Sequence, residues 1–429
     1  MTPNVAGVDA RLHTETSPRS PRSRRLPPGV AAVLAATVAA IILAACGNGG
    51  NSNINLNSGG QQPATNPAAA RIHTIPGMPA VVNPTNLYSQ TRAHQFSPAT
   101  KGALNRVYVP NLLSNDVYVI DPKTFQVVDR FPVGVDPQHV VPSYDLKTLW
   151  VANEAVNRTD GTVIPINPKT GKPGVPIAVD NPYNLYFTAD GKSVIVVAEQ
   201  RKRLDFRDPH TFALQQSVPL DNCAGNNHAD FSIDGTYLII SCEFQRGLAK
   251  VDVVHHQVLG YLQLAPDAVP QDVRVGPDGK TFYIADLNRG GLWTVDGSSF
   301  TETGFIPTAV GAHGLVISRD TKEMYVANRG NVTQSVGPGH GPGSVSVLDF
   351  ATNRITATWS IPGGGSPDMG GITADGTQLW VSGRFDNVVY VFNTQTGAVR
   401  TIPVGREPHG VAVWPQPGRY SLGHVGVMR

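Results

Sequence analysis

Cysteine is nearly missing from this chain: three residues in 429, no two of them spaced CxxC. That excludes a disulfide-stapled scaffold and the CxxCH attachment of a c-type haem. Charge of one sign is missing as well. Lys and Arg total 34 against 32 Asp and Glu, a formal net charge of +2, so no electrostatic footprint for nucleic acid exists. No apolar run reaches the ~20 residues that span a bilayer as a helix. No GxSxG elbow, HExxH pair or phosphate-binding loop occurs. What the chain has in quantity is Gly (44) and Pro (35), a composition of many short strands and turns rather than of helical bundles.

The N-terminus reads as a targeting segment. Arg19, Arg22, Arg24 and Arg25 precede an uncharged apolar stretch of 16 residues from Val30 to Ala45. A basic region, a short apolar core and small residues at a cut site describe a secretory signal. The sequence Leu43-Ala44-Ala45-Cys46 resembles the bacterial lipobox. The resemblance implies cleavage before Cys46 and acylation of its thiol; an ordinary signal peptide is the alternative. Ser23-Arg24-Arg25 hints at twin-arginine export, from which Pro27 and Pro28 depart. The expected division is a signal peptide at 1–45 and a disordered Gly/Asn/Ser/Gln tether at 46–70. An N-terminal arm at 71–103 follows, in which Val81-Val82 and Leu87-Tyr88 are candidates to pack on the folded body. A propeller at 104–416 and a C-terminal tail at 417–429 complete it. The expected location is the cell membrane, lipid-anchored and facing the periplasm or the exterior, as a monomer.

From Leu104 one phrase recurs. Asp-Gly turns at 190–191, 234–235, 278–279 and 375–376, with Arg319-Asp320 in the equivalent place, separate two apolar runs. Asp-Gly between alternating apolar segments is a strong hairpin signal. Third strands read Val117-Tyr118-Val119-Ile120-Asp121 or similar, and fourth strands end in Ile402-Pro403-Val404-Gly405 or similar. Opening strands begin near His139, Asn184, His228, Gln271, His313, Met369 and His409, at spacings of about 45, 44, 43, 42, 56 and 40. A period of about 40–45 with four strands per unit predicts an all-β propeller, here of seven blades. The repeat starts in a second strand and ends in a first one, so the C-terminal strand should complete the first blade and remove a free sheet edge. The 56-residue spacing reflects an insertion between Asn328 and Ser344.

The phrases "LWVAN", "VYVID" and "PHGVAV" resemble the YVTN-repeat, YncE-like propellers. That resemblance covers Leu104 to about Trp414. It implies the fold and leaves the function open, because related propellers include the haem-binding domain of dissimilatory nitrite reductases, lactonases and a streptogramin lyase.

In such a ring the starts of the opening strands and the ends of the second strands gather at one mouth of the central channel. The candidate ligand-binding set there is His139, His228, Glu243, Asp272, His313, Asp368, Arg384 and His409, with Glu154, Glu199 and Asp286 nearby. The plainer reading is that each His bonds a neighbouring blade's backbone. Ring diameter also counts against a compact metal site: non-adjacent blades are expected ~10 Å apart, whereas zinc needs ligands at about 2.0–2.3 Å. The expected function is a membrane-anchored binding or scaffold module for a small molecule or protein, ligand unidentified. The alternative is a metal- or cofactor-dependent enzyme (lyase, lactonase or redox protein) using the same mouth. No catalytic residue, metal or cofactor is assigned. Cys223 and Cys242 are left as a disulfide pair in an oxidising compartment. Pairing about the Asp234-Gly235 turn puts Cys242 opposite Asn227. Two buried thiols, or a copper site with His228 and Met369, are the other readings.

Overall fold

The computed structural model describes residues 72–331 and 341–429. The expected signal peptide, tether and Cys46, and most of the insertion after Asn328, lie outside the described residues. Contacts divide the chain into residues 1–64 and 65–429, and the second unit holds every element described below.

The described strands form seven sheets arranged as the blades of a propeller. First strands such as Pro137–Pro142, Asn226–Phe231 and Pro367–Ile372 are buried along their whole length. Second strands such as Leu149–Asn153 are too. The outermost strands Gln257–Gln263 and Arg354–Ser360 instead alternate, every second residue facing solvent. Strands covered on both faces can be continuously apolar, and strands covered on one face alternate. The gradient therefore runs from the axis outward. One apolar core fills each gap between neighbouring blades; Val107, Trp380, Val389, Val411 and Val413 occupy the gap between the first and the last.

The ring closes as expected. Ala412–Trp414 pairs antiparallel with Arg106–Asn111, Val413 opposite Val107, and becomes the innermost strand of blade 1. The turn glycines Gly191, Gly235, Gly279 and Gly376 all take positive φ; in blade 6 Thr321 adopts that backbone at φ 66°. In blade 2 the outer strand is split into Lys172–Pro173 and Ile177–Ala178, as expected where Pro removes a ladder donor.

Two expectations need correction. Residues 417–429 are not a tail. They fold back against the propeller, with Tyr420, Leu422, Val425, Val427 and Met428 buried and Arg429 donating to Asp230. The reason is composition: Tyr420, Leu422, Val425, Val427 and Met428 give the stretch an apolar side that gains by leaving water. Second, Cys242 lies opposite Asn226, one residue earlier than the simple hairpin count, because a bulge interrupts the pairing between Asn226 and Ala229. Cys223 and Cys242 are joined by a disulfide, Cα atoms 4.6 Å apart.

In the arm, Leu87 and Tyr88 are buried and Val82 is exposed. Leu87 N–H donates to the Pro277 carbonyl and the Tyr88 hydroxyl to that of Val275, so the arm is stitched to the hairpin-turn face of blade 5. Gly418 N–H donates to Gln95 O, and the Arg419 guanidinium to Ala80 O, so arm and C-terminal segment close that end of the channel together.

Candidate functional site

The site begins with a recurring local irregularity. The opening strands pair with the second strands through a bulge, at Pro137/His139, Asn226/Ala229, Pro270/Val273, Ala312/Leu315 and Pro367/Gly370. A bulge re-aims the side chains it carries. His139, His228, Asp272, His313 and Asp368 all sit on it. Glycine then lets the strands close in on one another. A Cβ on Gly410 would collide with the His139 ring, and one on Gly314 with the Asp368 carbonyl. The backbones of blades 1 and 2 pair directly here, Gly410 N–H donating to the Gln138 carbonyl and Val140 N–H to that of Gly410.

The channel is narrower than ring geometry alone suggested. The His139 ring centre is 4.7 Å from that of His409, 5.5 Å from His228 and 5.3 Å from His424; His228 lies 5.0 Å from His424 and 5.9 Å from His313. The expectation of ~10 Å between non-adjacent blades is thus corrected, and the glycines above are the cause. Ligand-capable atoms of His139, His228 and His424 lie within 4.8 Å of one another, as do those of His313, Asp368 and His409. Burial pushes all five imidazoles toward the neutral form, His139 and His313 to about 4 and the other three well below the usual range.

Asp368 is the charge centre of the upper group. Arg329 donates through Nε to its Oδ1 at 3.0 Å; His313 Nδ1 lies 2.8 Å from Oδ1 and His409 Nε2 3.5 Å from Oδ2. Burial would raise this carboxyl, but Arg329 and the imidazoles outweigh it and hold it well below the carboxylate range. Asp272 sits apart from that group. It accepts from Val273 N–H and, across the blade gap, from Leu315 N–H, and lies 3.5 Å from His424 Nε2. His139 does what a structural histidine does with one nitrogen: Nδ1 meets the Tyr183 carbonyl of the next blade at 3.0 Å.

Glu243 and Arg384 stand higher, at the open mouth. A cavity of about 420 Å³ is lined there by Glu154, Glu199, Glu243, Tyr183, His313 and Arg384, with Leu112, Val156 and Phe244 beside them. Arg384 donates to Glu407. Glu154 accepts from Gln138 at 2.6 Å and from Asn181 at 3.3 Å. Burial pushes Glu154 up to about 7, and burial plus its neighbour Glu154 pushes Glu199 well above the usual range. Ala224 and Gly225, next to the disulfide, form part of the wall and accept from Phe244 and Glu243 N–H. Asp286 is buried among its own blade's groups, accepting from Trp293 Nε1.

No family model matches the chain, and no curated protein does. Solved structures do match. The dihydro-haem d1 dehydrogenase NirN in complex with DHE is 16% identical over 80% of this chain and 79% of its own, with a TM-score of 0.53. A candidate 6-phosphogluconolactonase from Bacteroides uniformis is 16% identical over 72% of this chain and 99% of its own, TM-score 0.55. A functionally unknown protein from Desulfotomaculum acetoxidans is 12% identical over 72% and 99%, TM-score 0.58. At these identities the likeness is one of fold, and the fold is a seven-bladed propeller. A haem does not fit among the five imidazoles. One ligated by any of them would occupy the volume of the others, which pack ring against ring at 4.7–6.2 Å.

Sequence reasoning missed three residues. His424 follows the last repeat and has no counterpart to align with. Its signal was the alternation of Tyr420, Leu422, Val425 and Val427, which no solvated tail needs. Tyr183 and Asn184 were visible only as the start of an apolar strand. They turn out to flank His228, with Tyr183 Oη 3.1 Å from Nε2 and Asn184 Nδ2 3.3 Å from Nδ1.

Proposed function

We propose that this protein is a lipid-anchored, extracytoplasmic binding module that takes a small, donor-rich ligand, an amine or a polyol, at the open mouth of its channel. The observation that carries the reading is the one-ended channel: closed on the hairpin-turn side, open where carboxyl groups line a cavity of about 420 Å³. Two cations, Arg384 and Lys202, line that cavity beside the three glutamates, and Arg384 is engaged by Glu407. Ligand pockets combine apolar walls with a few placed polar groups. Leu112, Val156 and Phe244 supply the former here, and the Tyr183 hydroxyl and the glutamates the latter. The lipobox-like Leu43-Ala44-Ala45-Cys46 supports attachment to the membrane.

Thermal-shift and calorimetric titration with separate panels of amines, polyols and carboxylates tests the mouth. Amines or polyols should bind, and Glu243→Gln should weaken them at least tenfold. Binding of carboxylates alone, or of none of the three, overturns the reading. Cys46→Ser should move the protein from the membrane fraction to the soluble one.

A further inference from the structure

The closed end of the channel carries a charge that the fold does not call for. In the six blades whose first two strands are joined by a hairpin turn, the residue before the turn aspartate is Tyr144, Ala189, Ile233, Pro277, Arg319 or Ala374. Only blade 6 places a cation there. That cation is not solvated: Arg319 is 8% exposed. It donates to three neutral oxygens, the Ile372 and Thr373 carbonyls and Gln416 Oε1. Among the described residues no carboxylate forms an ion pair with it. Burial, which Asp375 offsets only in part, pushes its guanidinium down to about 10. A buried charge without a counter-charge destabilises the fold, so an unmatched one marks a place for a partner from outside the chain.

A second buried cation lines the same space. Arg274, on the opening strand of blade 5, is 5% exposed. Its Nη1 donates to the Val273 carbonyl and lies 3.4 Å from Asp272 Oδ1. Among the described residues its Nε and Nη2, and Nη1 of Arg319, make no hydrogen bond. Both arginines line a cavity of about 40 Å³. Val316 and Gly371, which stand four residues before the turn aspartate as Arg274 does, are its smaller walls in blades 6 and 7. Tyr88 of the arm and Val427 of the C-terminal segment complete the lining, which holds no Asp or Glu. The third arginine at this end, Arg429, already has its carboxylate in Asp230.

The geometry points to a site in this cavity for one small monovalent inorganic anion, a halide or nitrate, held between Arg274 and Arg319. The chemistry follows from the donors: a guanidinium offers five N–H groups and no acceptor, and those left over here border a space without carboxylates. The charge follows from the balance. Asp272 answers Arg274, nothing answers Arg319, and one negative charge closes the account. The size follows from the volume. About 40 Å³ has room for roughly three waters or one such ion, and excludes a nucleotide or a sugar phosphate. Arm, C-terminal segment and blades 5, 6 and 7 all reach this cavity, so the anion ties together the pieces that close the channel. The site lies at the opposite end from the mouth and does not rest on the ligand proposed there.

The test uses the full chain purified in detergent, exchanged into sodium gluconate and titrated at constant ionic strength with sodium chloride, bromide or nitrate. A saturable rise of several degrees in thermal midpoint is expected with the small anions. Arg319→Gln should abolish that rise, while Arg158→Gln, at an exposed ion pair with Asp160, should keep it. Crystals soaked in bromide should show one anomalous peak in contact with Arg274 and Arg319, a readout on wild type that stands even if Arg319→Gln fails to fold. Water only in the cavity overturns the proposal. So does an equal midpoint in gluconate and in all three small anions, or a rise retained by folded Arg319→Gln. A bromide peak without any midpoint response means an adventitious ion only and overturns it as well.

Discussion

At the closed end of the channel Arg429 donates to Asp230, the Arg319 guanidinium donates to the carbonyls of Ile372 and Thr373 and to Gln416, and the Tyr88 hydroxyl donates to Val275 O. At the open end burial raises the proton affinity of Glu154 and Glu199, the charge of Glu154 raises that of Glu199 further, and both face a cavity. Both ends are made of the same repeat. One uses its polar groups to hold segments together; the other keeps them where they lower stability. Perturbed carboxyls collected in a cleft are the usual mark of a functional site, and their cost is borne by the rest of the fold.

Removing the closed end altogether gives the largest expected effect. A chain stopped before His409 lacks the innermost strand of blade 1 and the whole C-terminal segment. It should be insoluble or show no cooperative unfolding by circular dichroism; a soluble, cooperative product would contradict the ring closure described above. A single break at that end, Arg429→Ala, removes the ion pair of the buried Asp230, which keeps only the N–H groups of Phe231 and Val275 as hydrogen-bond donors, and should cost about 3–5 kcal/mol in denaturant titration. If the loss is below 1 kcal/mol, the closed end is not where stability is concentrated.

Near the mouth, replacing Cys223 and Cys242 by Ser reopens a loop of nineteen residues in sequence separation, and should cost about 3 kcal/mol on the chain-entropy view. The effect should vanish when wild type is measured under reducing conditions. Smaller still is the response of Glu154. Its folded carboxyl titrates near 7 against 4.5 for the free group, so the folded state holds the extra proton between those values. Its contribution to stability is complete below pH 4.5 and is lost as pH rises through 7. Glu154→Gln should flatten that decline, by about 1–3 kcal/mol between pH 5 and 8; an unchanged slope would show that the group is not protonated in the fold. At the far end of the scale, Val82→Ser on the exposed part of the arm should change stability by less than about 0.5 kcal/mol.

What could be read in advance followed from local rules. The Asp-Gly turns and the spacing of opening strands specify the blades, because hairpin chemistry is short-range. His139, His228, His313, Asp368 and His409 could be placed on the channel by their position in the repeat. What could not be read depends on contacts between blades. The bulge that moves Cys242 opposite Asn226 leaves no mark in composition. The convergence of the imidazoles depends on Gly410 and Gly314 having no side chain, a matter of approach between strands distant in sequence. His424 belongs to no repeat, and its role emerges only when the C-terminal segment is seated beside Asn184.

The pairing of Val107 with Val413 also sets a clock. Contacts between residues far apart in sequence form slowly, since the loop between them must close first. Here the partner of the Arg106–Asn111 strand lies roughly 300 positions later in the chain, on a scale where most partners are tens apart. Until it arrives, six blades can stack in sequence while the edge of Arg106–Asn111 stays unpaired. The chain therefore ends its folding as an open arc with one adhesive edge, and the step that closes it also brings in the segment ending at Arg429. Completion of the ring and sealing of the channel are a single late event, which makes the finished molecule distinguishable from every unfinished one by a protease that recognises exposed strand edges.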